Sequence, residues 1–221
     1  MNKPNQIKKF VVLGVLFLLP ITVYIFFASG VNNFAKLPVL TPSVSELTSF
    51  KALDGTAVQF KDKITVLGFF GSNPTSKDAN AYNLTHKVYQ KNHGFSDFQF
   101  VFLLPEGSES QAASLKTKLS EITDTQKWKF AFGSTEAIEE VFQSLQSNIT
   151  LDADYSTPYV FIIDKEVNLR GRDDDEDVGL LFGFDARDVA EINNKMSDDI
   201  KVILAEYRME LKKYKKGKRE I

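Results

Sequence analysis

Hydrophobic positions recur along this chain in three rhythms, each of which predicts a different element. Residues 10–28, FVVLGVLFLLPITVYIFFA, run without a charge, long enough at about 1.5 Å per residue to cross a hydrocarbon layer roughly 30 Å thick. They predict one membrane-spanning helix, kinked but not broken at Pro20. Short, almost continuous apolar runs at 64–70, 98–104 and 159–164 predict buried central strands, and the alternating run 128–132 predicts a fourth, shorter one. The third rhythm steps by three and four through Val189, Ile192, Met196, Ile200, Ile203, Leu204, Tyr207 and Leu211. It predicts an amphipathic helix over 186–213.

Punctuation fills in the rest. Asp54-Gly55 supplies the positive φ of a hairpin turn, Gly71-Ser72-Asn73-Pro74 ends the first buried strand, and Pro105-Glu106-Gly107 ends the second. Helices are predicted over about 76–91 and 110–121. A third runs from an N-cap at Ser134 to Leu145, with Glu136 and Glu139 favourable in its early turns. Residues 167–170 pair back across a tight turn on 159–164. Strands alternating with helices, closed by a hairpin and a helix, describe an α/β sandwich with a mixed central sheet. The predicted organisation is a cytoplasmic tail 1–9, an anchor 10–28, a tether 29–45, a globular domain 46–213 and a basic tail 214–221.

Charge distribution adds an orientation. Lys8 and Lys9 precede the apolar segment directly, and only Lys36 follows within a dozen residues. The positive-inside bias places the N-terminus in the cytoplasm and the folded domain periplasmic, at the outer face of the inner membrane. A cleaved signal peptide ending at Ala28-Ser29-Gly30 is the competing reading, against which the apolar stretch exceeds the usual ~7–15 residues. The net charge of -2 offers nothing to nucleic acid, and 19 phenylalanines suit a sheet-based core. The chain has no cysteine. That excludes disulfides, thiolate ligands and cysteine nucleophiles together.

The strand–turn–helix order in ITVLGFFGSNPTSKD resembles the site of thioredoxin-like proteins, and especially the Sco/SenC copper-chaperone family. In that family the first buried strand runs into two cysteines separated by three residues. Asn73 and Lys77 stand where the sulfurs would be, with Pro74 after the first. The family's third copper ligand, a histidine, corresponds to Tyr155 in Asp154-Tyr155-Ser156-Thr157-Pro158. Thr157-Pro158 resembles the cis-proline that faces the site in thioredoxin folds. The resemblance covers about residues 40–211 and implies a thioredoxin-like three-layer sandwich. Cu(I) requires soft donors, which Asn, Lys and Tyr do not supply, and thiol exchange requires a thiolate. The resemblance therefore implies a non-catalytic binding or assembly factor near respiratory-oxidase biogenesis, with a protein partner and no cofactor. A metal carrier using Asp, Glu or His, and a redox partner borrowing another chain's cysteines, are the alternatives.

Other candidates are weighed from the residues alone. The turn 73–77 could hold a small anion on free backbone N–H groups and Lys77, or be a plain helix cap formed by Ser72 or Asn73. His86 and His93 lack a carboxylate at ligand spacing and read as solvent-facing. The acidic run 173–177 reads as a solvated loop, with Asp173, Asp175 and Asp177 weak candidates for Ca²⁺. The apolar stretch beyond it, with Leu180, Leu181, Phe182 and Phe184, either folds onto the core or forms a docking patch. The sequons at Asn83 and Asn148 would matter only in a eukaryotic secretory pathway, and the cationic run 212–219 complements a helix C-terminus or an anionic lipid surface. No serine–histidine–acid spacing, phosphate loop or matched carboxylate pair proposes a hydrolase.

Overall fold

The computed structural model describes the backbone of residues 3–29 and 36–217, and side chains over 8–26 and 36–209. It divides into two compact units, residues 1–35 and 36–221. Positions 30–35 of the expected tether and 218–221 of the basic tail lie outside the described residues.

The first unit is a single helix, α1 (Lys3–Ser29), whose segment Lys8–Phe26 is long and apolar enough to cross a membrane. Pro20 lies inside it. The Thr22 hydroxyl donates to the Leu18 and Leu19 carbonyls at 3.0 and 2.9 Å, so this hydroxyl is satisfied within the helix, as lipid would require.

The second unit is built on an eight-stranded mixed sheet in the order β1-β7-β6-β3-β4-β5-β2, with β10 pairing β6 on the side. In chain order come β1 (Val39–Thr41), β2 (Lys51–Ala52) and β3 (Ile64–Phe70). A 3₁₀ turn at Pro74–Lys77 leads into α2 (Asp78–Leu84), a π-helical turn at Thr85–Tyr89 and α3 (Gln90–Asn92). Next follow β4 (Phe98–Pro105), α4 (Glu109–Ser120), β5 (Trp128–Gly133) and α5 (Thr135–Ser144). β6 (Ser156–Ile163) returns antiparallel along β3, and β7 (Leu169–Arg170) folds back on it. β8 (Arg172–Asp175) and β9 (Gly179–Leu181) form a separate two-stranded hairpin, followed by β10 (Phe184–Asp185). α6 (Val189–Glu191), a second π-helical turn at Ile192–Met196 and α7 (Ser197–Gly217) close the chain.

The period-two pleat sorts the central strands between two cores. Val66, Phe70, Phe100, Phe102, Phe130 and Ile162 face the side covered by α2, α4 and the final helix. Leu67, Phe69, Val101, Leu103, Phe161 and Ile163 face the other, against α5 and the segment around Val44, Leu47 and Phe50. Gly68 sits directly opposite Phe102 in the parallel β3–β4 ladder. A Cβ there would lie 2.3 Å from the Phe102 ring, so the absent side chain makes room for it.

Three expectations change. The final helix starts at Val189 rather than 186, because the Asp188 carboxylate caps it, accepting from the N–H groups of Ala190 and Glu191. Val189 itself is exposed, being in the first turn, and Leu211 lies outside the described side chains. The acidic run is not a free loop: residues 172–175 are the strand β8.

Candidate functional site

The corner where the resemblance places a reactive pair is formed by backbone. β3 ends at Phe70, and Gly71 turns the chain with φ +66°. A Cβ on Gly71 would come within 2.4 Å of the Asp154 carbonyl, and the Ser72 N–H donates to that same carbonyl at 3.1 Å. Asp154 is held in turn by Ser156, whose hydroxyl donates to Oδ1 at 2.7 Å. The loop 71–72 and the loop 154–156 are thus brought together.

The side chains at this corner are occupied locally or bare. Pro74 is buried at the first helical position, where its missing N–H costs nothing. Asn73 does not cap the helix by its side chain: the Thr75 hydroxyl donates to its Oδ1 at 2.8 Å, while its backbone carbonyl accepts from the Ser76 N–H and hydroxyl. Lys77 is half-buried and has no ion-pair partner among the described residues, whereas the neighbouring Asp78 takes Lys118 at 2.5 Å. Tyr155 adopts φ +62°, donates its N–H to the Asp152 carbonyl at 2.9 Å and packs by its ring on the α5-side core. The expected cis-proline is not present. No cis peptide bond occurs among the described residues, and the bond before Pro158 lies within β6, where Thr157 pairs with Phe69 in an extended, trans strand.

The histidines stand apart from this corner. His86 is exposed on the π-helical turn, and His93 stacks on Tyr89 with ring centroids 5.5 Å apart. Among the described residues no group of three or more His, Cys, Asp or Glu side chains converges as a metal site would need.

The β8–β9 hairpin is where charge concentrates. Arg172 grips Asp199 at the start of α7 through two nitrogens, with contacts of 2.8–3.2 Å. Lys195 Nζ, from the second π-helical turn, reaches Asp175 at 2.8 Å and Asp177 at 2.6 Å. Of the weak calcium candidates, Asp175 and Asp177 converge on the Lys195 ammonium, while Asp173 is exposed. Burial pushes the Asp175 carboxyl up, yet the Lys195 contact and the backbone N–H groups of Asp177 and Val178 outweigh it and hold it below its ordinary value. Asp199 goes the other way, raised by burial more than Arg172 lowers it. Arg172 and Lys195 are both held charged by these carboxylates.

The apolar stretch divides by strand alternation. Leu181 and Phe184 turn inward to the core, so they leave the expected docking patch. Leu180 and Val178 remain 49% and 61% exposed, and Phe182 is half-buried. Together with Ile149, Thr157, Pro158 and Tyr159 they line one groove of about 480 Å³, with Asp152 and Arg187 at its polar side. Two features that the sequence suggested separately, Thr157-Pro158 and the 180–182 patch, are thus walls of a single groove. Nothing in the local sequence announced this, because residues 148–152, 157–159 and 178–183 meet only through tertiary packing.

No family model matches the chain, and no curated protein matches it in sequence. Solved structures do resemble it. A protein studied as BsSco, a member of the Sco family of cytochrome c oxidase assembly proteins, superposes with a TM-score of 0.54 at 15% identity, covering 76% of this chain and 98% of its own. A protein of Aquifex aeolicus VF5, provisionally assigned to electron transfer, gives 0.52 at 13%, covering 74% and 92%. One from Bacteroides thetaiotaomicron, provisionally assigned as a protein disulfide isomerase, gives 0.52 at 12%, covering 77% and 95%. The likeness is one of fold: the described residues of the second unit, 36–217, adopt a thioredoxin-like sandwich, and a Sco protein is among its structural neighbours.

Proposed function

We propose that this chain is a membrane-tethered, non-catalytic thioredoxin-fold protein that binds a partner, or assists its assembly, at the outer face of the inner membrane. The observation that carries this reading is the corner at Gly71–Lys77 and Asp154–Ser156. Its backbone is tightly specified, by a positive-φ glycine packed on a facing carbonyl, but it bears no thiol or imidazole. Electron exchange through a disulfide and capture of Cu(I) both need sulfur or comparably soft donors. A corner kept in shape without them is suited to presenting a surface. The helix α1 supports retention in the membrane, and Lys8 and Lys9 at its start support a cytoplasmic N-terminus. Likeness to a Sco protein points by fold analogy toward oxidase assembly.

Affinity capture of the full chain from detergent-solubilised native membranes tests this, paired with an insulin-reduction assay. The expected result is reproducible enrichment of a membrane complex with no reductase turnover. Recovery of background proteins alone, or measurable turnover, contradicts it.

A further inference from the structure

Charge on the final helix, α7, is divided in two. Over its first half the charges are paired within the domain: Asp199 with Arg172, Asp198 with Lys201, and Glu206 with both Arg170 and Lys36. The second half has the opposite character. Residues 212–219 read KKYKKGKR, six cations and no acid in a chain of net charge -2, and α7 continues through them as far as Gly217.

Complementing the helix C-terminus does not account for so many. That interaction falls off within the last turn, which Lys212 and Lys213 precede. Lysines at spacings of three and four, such as Lys212 with Lys215 and Lys216, repel one another and weaken the helix that carries them. An anionic surface laid against the run relieves that repulsion.

The point from which the run departs is fixed by a buried clasp. Arg170 donates its Nε to the Leu37 carbonyl at 2.8 Å, while its terminal nitrogens hold Asp164 at 3.0 Å and Glu206 at 2.8 Å. Lys36, the first residue of the folded unit, meets the other oxygen of Glu206 at 3.3 Å. The root of the tether and the helix bearing the cations are therefore fastened together. From Glu206 the helix advances about 9 Å to Lys212, and positions 30–35 let Lys36 stand at most about 25 Å from the end of α1. This short covalent path keeps the cations at high effective concentration near the bilayer that holds α1, and Lys and Arg side chains near such a surface are drawn to anionic headgroups. Tyr214, in the middle of the run, is of a type enriched at membrane interfaces.

We infer that residues 212–219 are a membrane-surface site that binds the headgroups of anionic phospholipids and so orients the tethered domain. The inference rests on the reading of the chain as membrane-tethered and names the lipid chemistry that its domain recognises.

Because the chain has no cysteine of its own, a fluorophore can be attached through Y214C alone. The full chain is placed in nanodiscs of zwitterionic lipid, with or without phosphatidylglycerol, each disc carrying a headgroup quencher. Quenching is expected to be at least about threefold greater in the anionic discs and to fall back as salt rises. The variant K212Q/K213Q/K215Q/K216Q/K218Q/R219Q should lose that difference with its unfolding transition in place, and K215Q/K216Q should lose part of it. Equal quenching in the two lipids, or a full response from the six-fold variant, overturns the inference. An equal response to soluble polyphosphate or a short DNA assigns the run to polyanions at large and also overturns it. Alkaline carbonate extraction separates this site from the tether: release of the parent chain from native membranes contradicts the tether, whereas a chain that stays embedded and ignores lipid charge contradicts the lipid site alone.

Discussion

The corner at 71–77 and the hairpin at 172–181 stand on the same thioredoxin-like frame and are specified by opposite means. The corner is fixed by backbone: a glycine at positive φ, a carbonyl pressed against it, a proline at the first helical position. Its side chains hydrogen-bond to their own turn. The hairpin is fixed by side-chain charge, with an arginine and a lysine tying its carboxylates and those of α7 together. The corner is a tight turn without thiol or imidazole groups, whereas the hairpin concentrates titratable groups in a structural role. A thioredoxin-like frame is therefore poor evidence by itself for thiol or copper chemistry, which needs particular atoms as well as a particular turn.

The contrast can be broken first at the corner. Gly71→Ala would place a methyl group 2.4 Å from the Asp154 carbonyl and 2.9 Å from Ser156 Cβ, in a φ region that alanine resists. Denaturant unfolding should show a loss of about 3 kcal/mol, the largest single effect here. A near-neutral result would mean the two loops are not pressed together. On the hairpin, Arg172→Ala leaves Asp199 buried without its partner, and about 2 kcal/mol should be lost. Lys there should restore only part of that, lacking the two-nitrogen grip.

How far the sequence reveals these regions follows from what holds them. The central strands are legible because both faces of β3 and β4 are buried and their apolar runs are almost unbroken. The corner is legible as a turn from Gly71 and Pro74. Its contact with Asp154 is not, since a glycine's need for space shows only once the opposing chain is in place. The acidic run misleads for a related reason. Asp175 finds Lys195 twenty positions away, on a π-helical turn that no periodicity signals. The split of the 180–184 stretch between core and surface is a matter of register, and the expected cis-proline fails because Pro158 continues β6 in trans.

Titration sharpens the comparison at smaller scale. Asp175 has its folded value below the ordinary 3.8, so its contribution is complete above about pH 4 and declines as pH falls through the lower folded value. Asp199, raised by burial, contributes the opposite slope, adding stability as pH falls toward its ordinary value. Acid unfolding of Asp175→Asn should therefore be shallower below about pH 4 than that of the parent; identical acid limbs would show that the Lys195–Asp175 pair does not hold the hairpin. Smallest of all, Leu180→Ser should change stability by less than about 0.5 kcal/mol, because that side chain is exposed. A large loss would show that Leu180 is a packing residue and not part of a presented surface.

The corner at 71–77 and 154–156 carries no thiol or imidazole, and a Cu(I) site needs such soft donors. Copper content after loading with Cu(I) and exhaustive dialysis tests it directly, comparing the parent chain with the variant N73C/K77C/Y155H. The account predicts no retained copper in the parent and stoichiometric copper in the variant. Stoichiometric copper in the parent would contradict it.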